Sequence, residues 1–154
     1  MAKDSDLCLS KKQKKFFNLA KEVAETSNFE GIKIGCVLVY KNTVIGRGAN
    51  SKKTHPVQKE YNKYRNFNRG TGKMIVHSLH SETAALIDAE HNVNNEDIDW
   101  SKVHVYTYRI APGLAYGKGC SLCCPACRHM LRDKGIKSIY YTEEYGYGHI
   151  ILDE

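Results

Sequence analysis

No run of apolar residues in the 154-residue chain approaches the roughly 20 that a membrane-spanning helix needs, so a helical transmembrane protein is excluded. The first residues, Met1 to Asp6, are short and charged with no hydrophobic segment behind them. That predicts no secretory signal and a cytoplasmic protein. No internal repeat and no low-complexity tract is present, and a hydrophobic content of 42% is ordinary for a globular protein. Disorder is therefore not indicated, and the length suits one domain spanning 1–154. Acid is scarce in one place: between Ser51 and Leu79 the only acid is Glu60, against Lys52, Lys53, Lys59, Lys63, Arg65, Arg69 and Lys73. Seven cations less one anion give +6, which is the whole net charge of the chain. This basic insert, at about 51–79, suits an anionic ligand, and it equally suits a solvated surface insertion.

Cysteine is what the chain does have. Of the six (Cys8, Cys36, Cys120, Cys123, Cys124, Cys127), four lie within eight residues. Such clustering does not make a framework of long-range bridges. In a reducing compartment it points to metal binding or redox chemistry.

Hydrophobic periodicity gives the order of elements. Phe16, Leu19, Ala20 and Val23 recur at helical spacing within Ser10 to Ser27. Ile34 to Tyr40 is apolar and β-branched, so it reads as a buried strand, and Thr43 to Ala49 pairs with it across a tight turn at Lys41-Asn42. Gly46 and Gly48 in the second strand imply close approach of another backbone or of a ligand. Within the insert, Thr54-His55-Pro56 reads as a helix start, with Val57, Tyr61 and Tyr64 on one face, followed by a loop at Gly70-Thr71-Gly72. Ser81 to Glu90 is a helix, Val103 to Tyr108 a strand, and Arg109 to Gly119 a loop rich in glycine. Pro125 to Lys134 is a helix closed by Gly135. Lys137 to Thr142 is a strand, and His149 to Leu152 a last short one. Strands alternating with helices predict an α/β fold, a mixed sheet flanked by helices.

Two motifs carry the chemistry: His80-Ser81-Glu82, and Cys124-Pro125-Ala126-Cys127. Pro125 suits the first helical position, which puts Cys124 at the N-cap and Cys127 one turn inside, on the same face. The helix N-terminus favours thiolate there. On a regular helix His80 and Glu82 would diverge by about 200°. With His80 just outside the first turn, both can face one pocket. An imidazole and two thiolates complete a zinc set with an open position, and a carboxylate beside it carries protons. Cys123, four residues before Cys127, also shares its helix face and competes with Cys124 as ligand.

In this order the motifs resemble those of the zinc-dependent cytidine and deoxycytidylate deaminase superfamily, whose signature is H-x-E followed by P-C-x-x-C. The resemblance extends over most of the chain, from the leading helix through the hairpin at Cys36 to Gly46, the helix after Glu82, and Cys127 to Tyr141. It implies the three-layer α-β-α cytidine deaminase-like fold with a central mixed sheet. It also implies Zn2+ held by His80, Cys124 and Cys127, and Glu82 as the general acid/base of hydrolytic deamination, with cleavage of a cyclic amidine C–N bond and release of ammonia. Asn50 and the backbone at Ser81 are implied as substrate contacts. The flanking sequence looks closest to deoxycytidylate deaminases, so dCMP to dUMP is the implied reaction, the basic insert serving a 5′-phosphate, in an enzyme of at least two subunits. The sequence departs from the signature in two places. Cys123 stands where the family has proline, and the loop from Arg109 to Gly119 is long and rims the expected site.

Three rivals share parts of this pattern. A nucleic-acid deaminase acting on tRNA or single-stranded DNA would use the same zinc site and the same basic residues. A structural zinc module would use Cys120, Cys123, Cys124 and Cys127, but it leaves Glu82 without a task and its two pairs without a spacing loop. A thiol redox protein would use Cys124 and Cys127 alone. Tyr61, Tyr64 and Phe67 suit either base stacking or packing of the insert on its own domain, and Tyr145 and Tyr147 either close over the pocket or cover the sheet.

Overall fold

The structure is a computed structural model and describes residues 3–4, 8–65, 78–114 and 117–152. Helix α1 (Lys11–Glu25) starts where the sequence permits a reciprocal cap. The Ser10 hydroxyl accepts from Gln13 N at 3.2 Å while Gln13 Oε1 accepts from Ser10 N at 2.9 Å. Two of the orphan donors of the first turn are thereby satisfied. Strands β2 (Lys33–Tyr40) and β3 (Thr43–Ala49) form the expected hairpin. Lys41 and Asn42 sit at φ 49° and 65° between them, the left-handed pair that matches the twist of two-residue hairpins.

The main sheet runs β1 (Lys3–Asp4), β9 (Tyr147–Ile151), β8 (Ser138–Thr142), β6 (His104–Ile110), β2, β3, with β7 (Lys118–Gly119) on the end of β6. Among the described strands only β6 and β8 run parallel, so the sheet is mixed, and α4 (Pro125–Lys134) makes the crossover that a parallel pair requires. Alternation along the strands splits the core in two. Val37, Val39, Tyr106 and Tyr108 meet Phe16, Phe17 and Ala20 of α1. Cys36, Leu38, Val105, Ile139 and Tyr141 meet Ala85, Leu86, Met130 and Leu131 of α3 (Ser81–Asn92) and α4. The α-β-α layering is thus present, with the two motif-bearing helices on one side.

The structure differs from the sequence reading in several places. β6 continues through Arg109 and Ile110, expected as loop, because both pair with Lys33 and Ile34 of β2 and with β7. β9 begins at Tyr147, since Thr142 of β8 pairs with it. The insert opens with β4 (Ser51–Thr54), which pairs with β5 (Ser78–Leu79) and so closes the insert at its base. Its helix α2 (Pro56–Tyr61) starts as expected, His55 Nδ1 accepting from Val57 N at 3.1 Å. The expected loop at Gly70-Thr71-Gly72, together with Phe67, Arg69, Lys73 and His77, lies outside the described residues. Among the described residues no helix is long and apolar enough to cross a membrane.

Candidate functional site

Gly46 and Gly48 let α3 lie directly on β3. A methyl group at Gly48 would meet Ala85 N and stand 2.6 Å from Ala84 Cβ; one at Gly46 would stand 2.7 Å from Ala89 Cβ. Of the two reasons the sequence offered for these glycines, backbone approach is the one the fold uses. The seating brings the start of α3 beside the start of α4. His80 is the N-cap of α3, in extended conformation (φ −84°, ψ 156°), and Cys124 the N-cap of α4 (φ −70°, ψ 167°). His80 Nδ1 lies 3.4 Å from Cys124 Sγ and 3.4 Å from Cys127 Sγ, and the three donor atoms fall within 4.8 Å of one another. A tetrahedral zinc with its usual Zn–S and Zn–N bonds has an S···N edge of about 3.5 Å. The donor set therefore fits zinc in both chemistry and spacing. Cys123 is buried and not part of the cluster, and Cys120 is exposed, so the four-sulfur cage does not form.

Glu82 lines the same cavity, of about 350 Å³, as His80 and Cys124. It is 5% exposed. Burial pushes its carboxyl above the ordinary range, while the nearby His80 imidazole pulls it back. Burial also pulls His80 down, but the hydrogen bond to Cys124 and the charge of Glu82 outweigh it, and the imidazole ends raised. The Cys124 thiol is drawn down to about 4, chiefly by its hydrogen bond with Cys127 and then by His80. Cys127 is pushed up, first by its hydrogen bond with Cys124 and then by burial. A thiolate facing an imidazole at a helix start is the polarity a cation wants.

The model of the cytidine and deoxycytidylate deaminase zinc-binding region matches residues 10–143. The chain belongs to this family. It is a zinc-dependent hydrolytic deaminase of pyrimidines. Solved structures agree on the fold. The dCMP deaminase of cyanophage S-TIM5 in its apo form superposes with a TM-score of 0.55 at 18% identity, covering 88% of this chain and 86% of that one. The same phage enzyme in complex with dCMP and dUMP gives 0.50 at 16%, over 86% and 82%. A cytidine deaminase from Burkholderia pseudomallei gives 0.55 at 16%, over 94% of each chain. Comparison with curated protein sequences gives no significant match.

Other residues surround the motifs of this deaminase. Asn50 lines the cavity, and its side chain is also a fold element. Oδ1 accepts from Ile34 N at 3.0 Å and from Ser27 Oγ at 2.7 Å, and Nδ2 donates to Ile32 O at 3.0 Å. Ser81 is 1% exposed, and its hydroxyl has no hydrogen-bond partner among the described residues. Arg65 of the insert and Arg109 of β6 line the cavity too, the latter with a buried Nε that no acceptor meets among the described residues. Arg65 Nη1 stands 3.5 Å from His80 Nε2. The sequence predicts a loop at Arg109, and its strand pairing is what aims it at the site. Gln58 and Thr83, both buried, sit behind His80 and were not singled out; nothing in their local sequence marks them. Of the aromatic residues, Tyr61, Tyr64 and Tyr147 pack. Tyr61 donates to Asp133 Oδ2 at 2.7 Å and Tyr64 stacks on His129 at 3.7 Å, both tying the insert to α4. Tyr147 packs on Phe17 at 4.6 Å, away from the cavity, and Tyr145 is exposed.

Proposed function

We propose that the chain, acting as one catalytic domain over 1–154, deaminates a cytosine nucleotide, dCMP to dUMP in first place. One observation carries the choice of a nucleotide. Arg65 and Arg109 share the cavity with His80 and Glu82, and Glu82 is the only acid lining it among the described residues. Two guanidinium groups beside a cavity of about 350 Å³ suit a small ligand with a phosphate. The S-TIM5 enzyme, of like fold, is described in complex with dCMP and dUMP. In this reading His80, Cys124 and Cys127 hold the zinc. Bound there, the metal supplies a Lewis acid and acidifies water toward a pKa of ~7. Glu82 carries the protons: its carboxylate takes one as water adds to C4, delivers it to ring N3, and a later proton passes through it to the departing amino nitrogen. Water and the cytosine nucleotide become the uracil nucleotide and ammonia. The dry surroundings that raise Glu82 favour a carboxyl able to give its proton back. Asn50 has an amide hydrogen beyond its three bonds to the fold, and the Ser81 backbone N–H lies in the first turn of α3; both serve as donors to the pyrimidine and sugar.

An ammonia-release screen tests the reading across cytidine, deoxycytidine, CMP, dCMP, dCTP and short single-stranded DNA and RNA. The expected result is the highest kcat/KM on a nucleoside monophosphate. Arg109→Ala then raises KM about 10-fold or more for the nucleotide and leaves the nucleoside nearly unchanged, as loss of a charge-assisted bond to phosphate predicts. Faster turnover on an oligonucleotide would replace this reading with the nucleic-acid one. The family resemblance further supports a homo-oligomer, and light scattering reads the assembly.

A further inference from the structure

His80 has an unusual double duty. It is the N-cap of α3, a place where a side chain ordinarily caps the backbone, yet its side chain makes no capping bond. The ring faces the two sulfurs instead. Something else must hold the first turn and fix the extended backbone from which the imidazole projects. That group is Gln58, from the middle of α2 in the basic insert. It is 1% exposed. Its Oε1 accepts from His80 N at 3.0 Å and from the Thr83 hydroxyl at 2.7 Å, and its Nε2 donates to Asn62 Oδ1 at 2.8 Å. One carbonyl thus ties the N-cap to the third residue of the helix. In a capping box the third residue's own side chain does this. Here Thr83 is a donor, and its Oγ1 also stands 3.9 Å from Cys127 Sγ.

We propose that Gln58 is the positioning residue of the zinc site: from the insert, it sets the backbone of His80 directly and reaches Cys127 through Thr83. The proposal rests on reading His80 as a zinc ligand. The insert is then part of the metal centre rather than a solvated appendage. Groups that orient metal ligands commonly govern affinity by 10–100-fold. A side chain at 58 without an acceptor strands a partly buried N–H and a buried hydroxyl next to the ligands, and both must turn to find partners.

The test compares Gln58→Leu with Tyr61→Phe in the full chain. Tyr61→Phe removes another anchor of the same helix, the bond to Asp133, without touching His80. Zinc affinity is measured by chelator competition without substrate, and Co2+ absorption reports the thiolate-rich geometry. Gln58→Leu should weaken zinc about 10–100-fold and alter the Co2+ spectrum, while Tyr61→Phe stays within about 3-fold of the parent. Equal zinc affinity in Gln58→Leu and the parent overturns the proposal. So does a parallel fall in both variants, which makes Gln58 an anchor of the insert only. If Gln58→Leu does not fold, Gln58→Asn decides on the same scale, keeping the amide but withdrawing it by one methylene. A parent that takes up no zinc also overturns it. A parent that binds zinc but releases no ammonia from any substrate refutes the proposed function alone.

Discussion

Gly48→Ala tests how the site is seated. The added methyl meets Ala85 N and stands 2.6 Å from both the carbonyl carbon and the Cβ of Ala84. Real Cβ atoms do not come that close, and two of the three obstructing atoms are backbone, which no rotamer change moves. Helix α3 must therefore lift off β3. Overpacking of this kind costs about 1–3 kcal/mol, and rigid backbone places this case in the upper half. At about 2–4 °C per kcal/mol for a chain of this size, the melting temperature falls by about 4–12 °C. Ala84 lies four residues after His80 and two after Glu82, so the displacement also reaches the chemistry and kcat falls with stability. Gly113→Ala is the control, because a methyl there meets nothing within 4 Å among the described residues. Differential scanning fluorimetry reads both variants. If Gly48→Ala melts within about 1 °C of Gly113→Ala, the direct seating of α3 on the strand is refuted, for the rise of one whole helix cannot be that cheap.

Glu82→Gln should lower turnover by about 100- to 10,000-fold while elemental analysis still finds stoichiometric zinc, since the change removes the proton carrier and no metal donor. Ser10→Ala deletes half of the reciprocal cap of α1, far from the cavity. It should cost about 1 kcal/mol, seen as a melting shift of about 2–4 °C with kcat unchanged. Tyr61 is raised from 10.0 to about 12, first because its hydroxyl donates to Asp133 and then by burial. Above its ordinary pKa the unfolded chain loses a proton that the folded one keeps, so this contribution is whole below pH 10 and is lost as pH climbs toward about 12. The ring is only partly buried, so screening keeps the slope shallow. Urea midpoints measured across that window should fall less steeply in Tyr61→Phe than in the parent.

Most of the fold was legible because its signals are local. The spacing of Phe16, Leu19, Ala20 and Val23 marks a helix, Gly135 at φ 96° a helix end, and the apolar run through Val37 a buried strand, each within a few turns of chain. The errors fall where pairing decides. Arg109 and Ile110 precede a loop rich in glycine and proline and look like part of it. They are strand because β2 and β7 flank them, which no window of sequence contains. The ladder of β4 and β5 joins segments 24 to 28 residues apart, polar on one side and two residues long on the other, and has no periodicity to read.

The site divides in the same way, and the division has a chemical basis. The residues that suit metal ligation and proton transfer are of few types, so the identity and spacing of the proposed set announce it even when 44 residues separate His80 from Cys124. A side chain that orients a ligand through the backbone needs only one well-placed acceptor. Gln58 is 22 residues from the N–H it receives and 25 from the hydroxyl, on a short helix whose neighbours are lysine, glutamate and tyrosine. Composition marks that stretch as charged surface, and by charge alone it is. What composition cannot carry is that one amide turns inward while the lysines beside it turn out. The insert thus serves two tasks that a single label of basic segment conflates: Arg65 brings charge to the cavity wall, and Gln58 holds the backbone N–H of His80 from behind. Deleting the insert would remove both at once. The two tasks separate only in point variants, where a change at Arg65 moves KM for an anion and one at Gln58 moves the affinity for zinc.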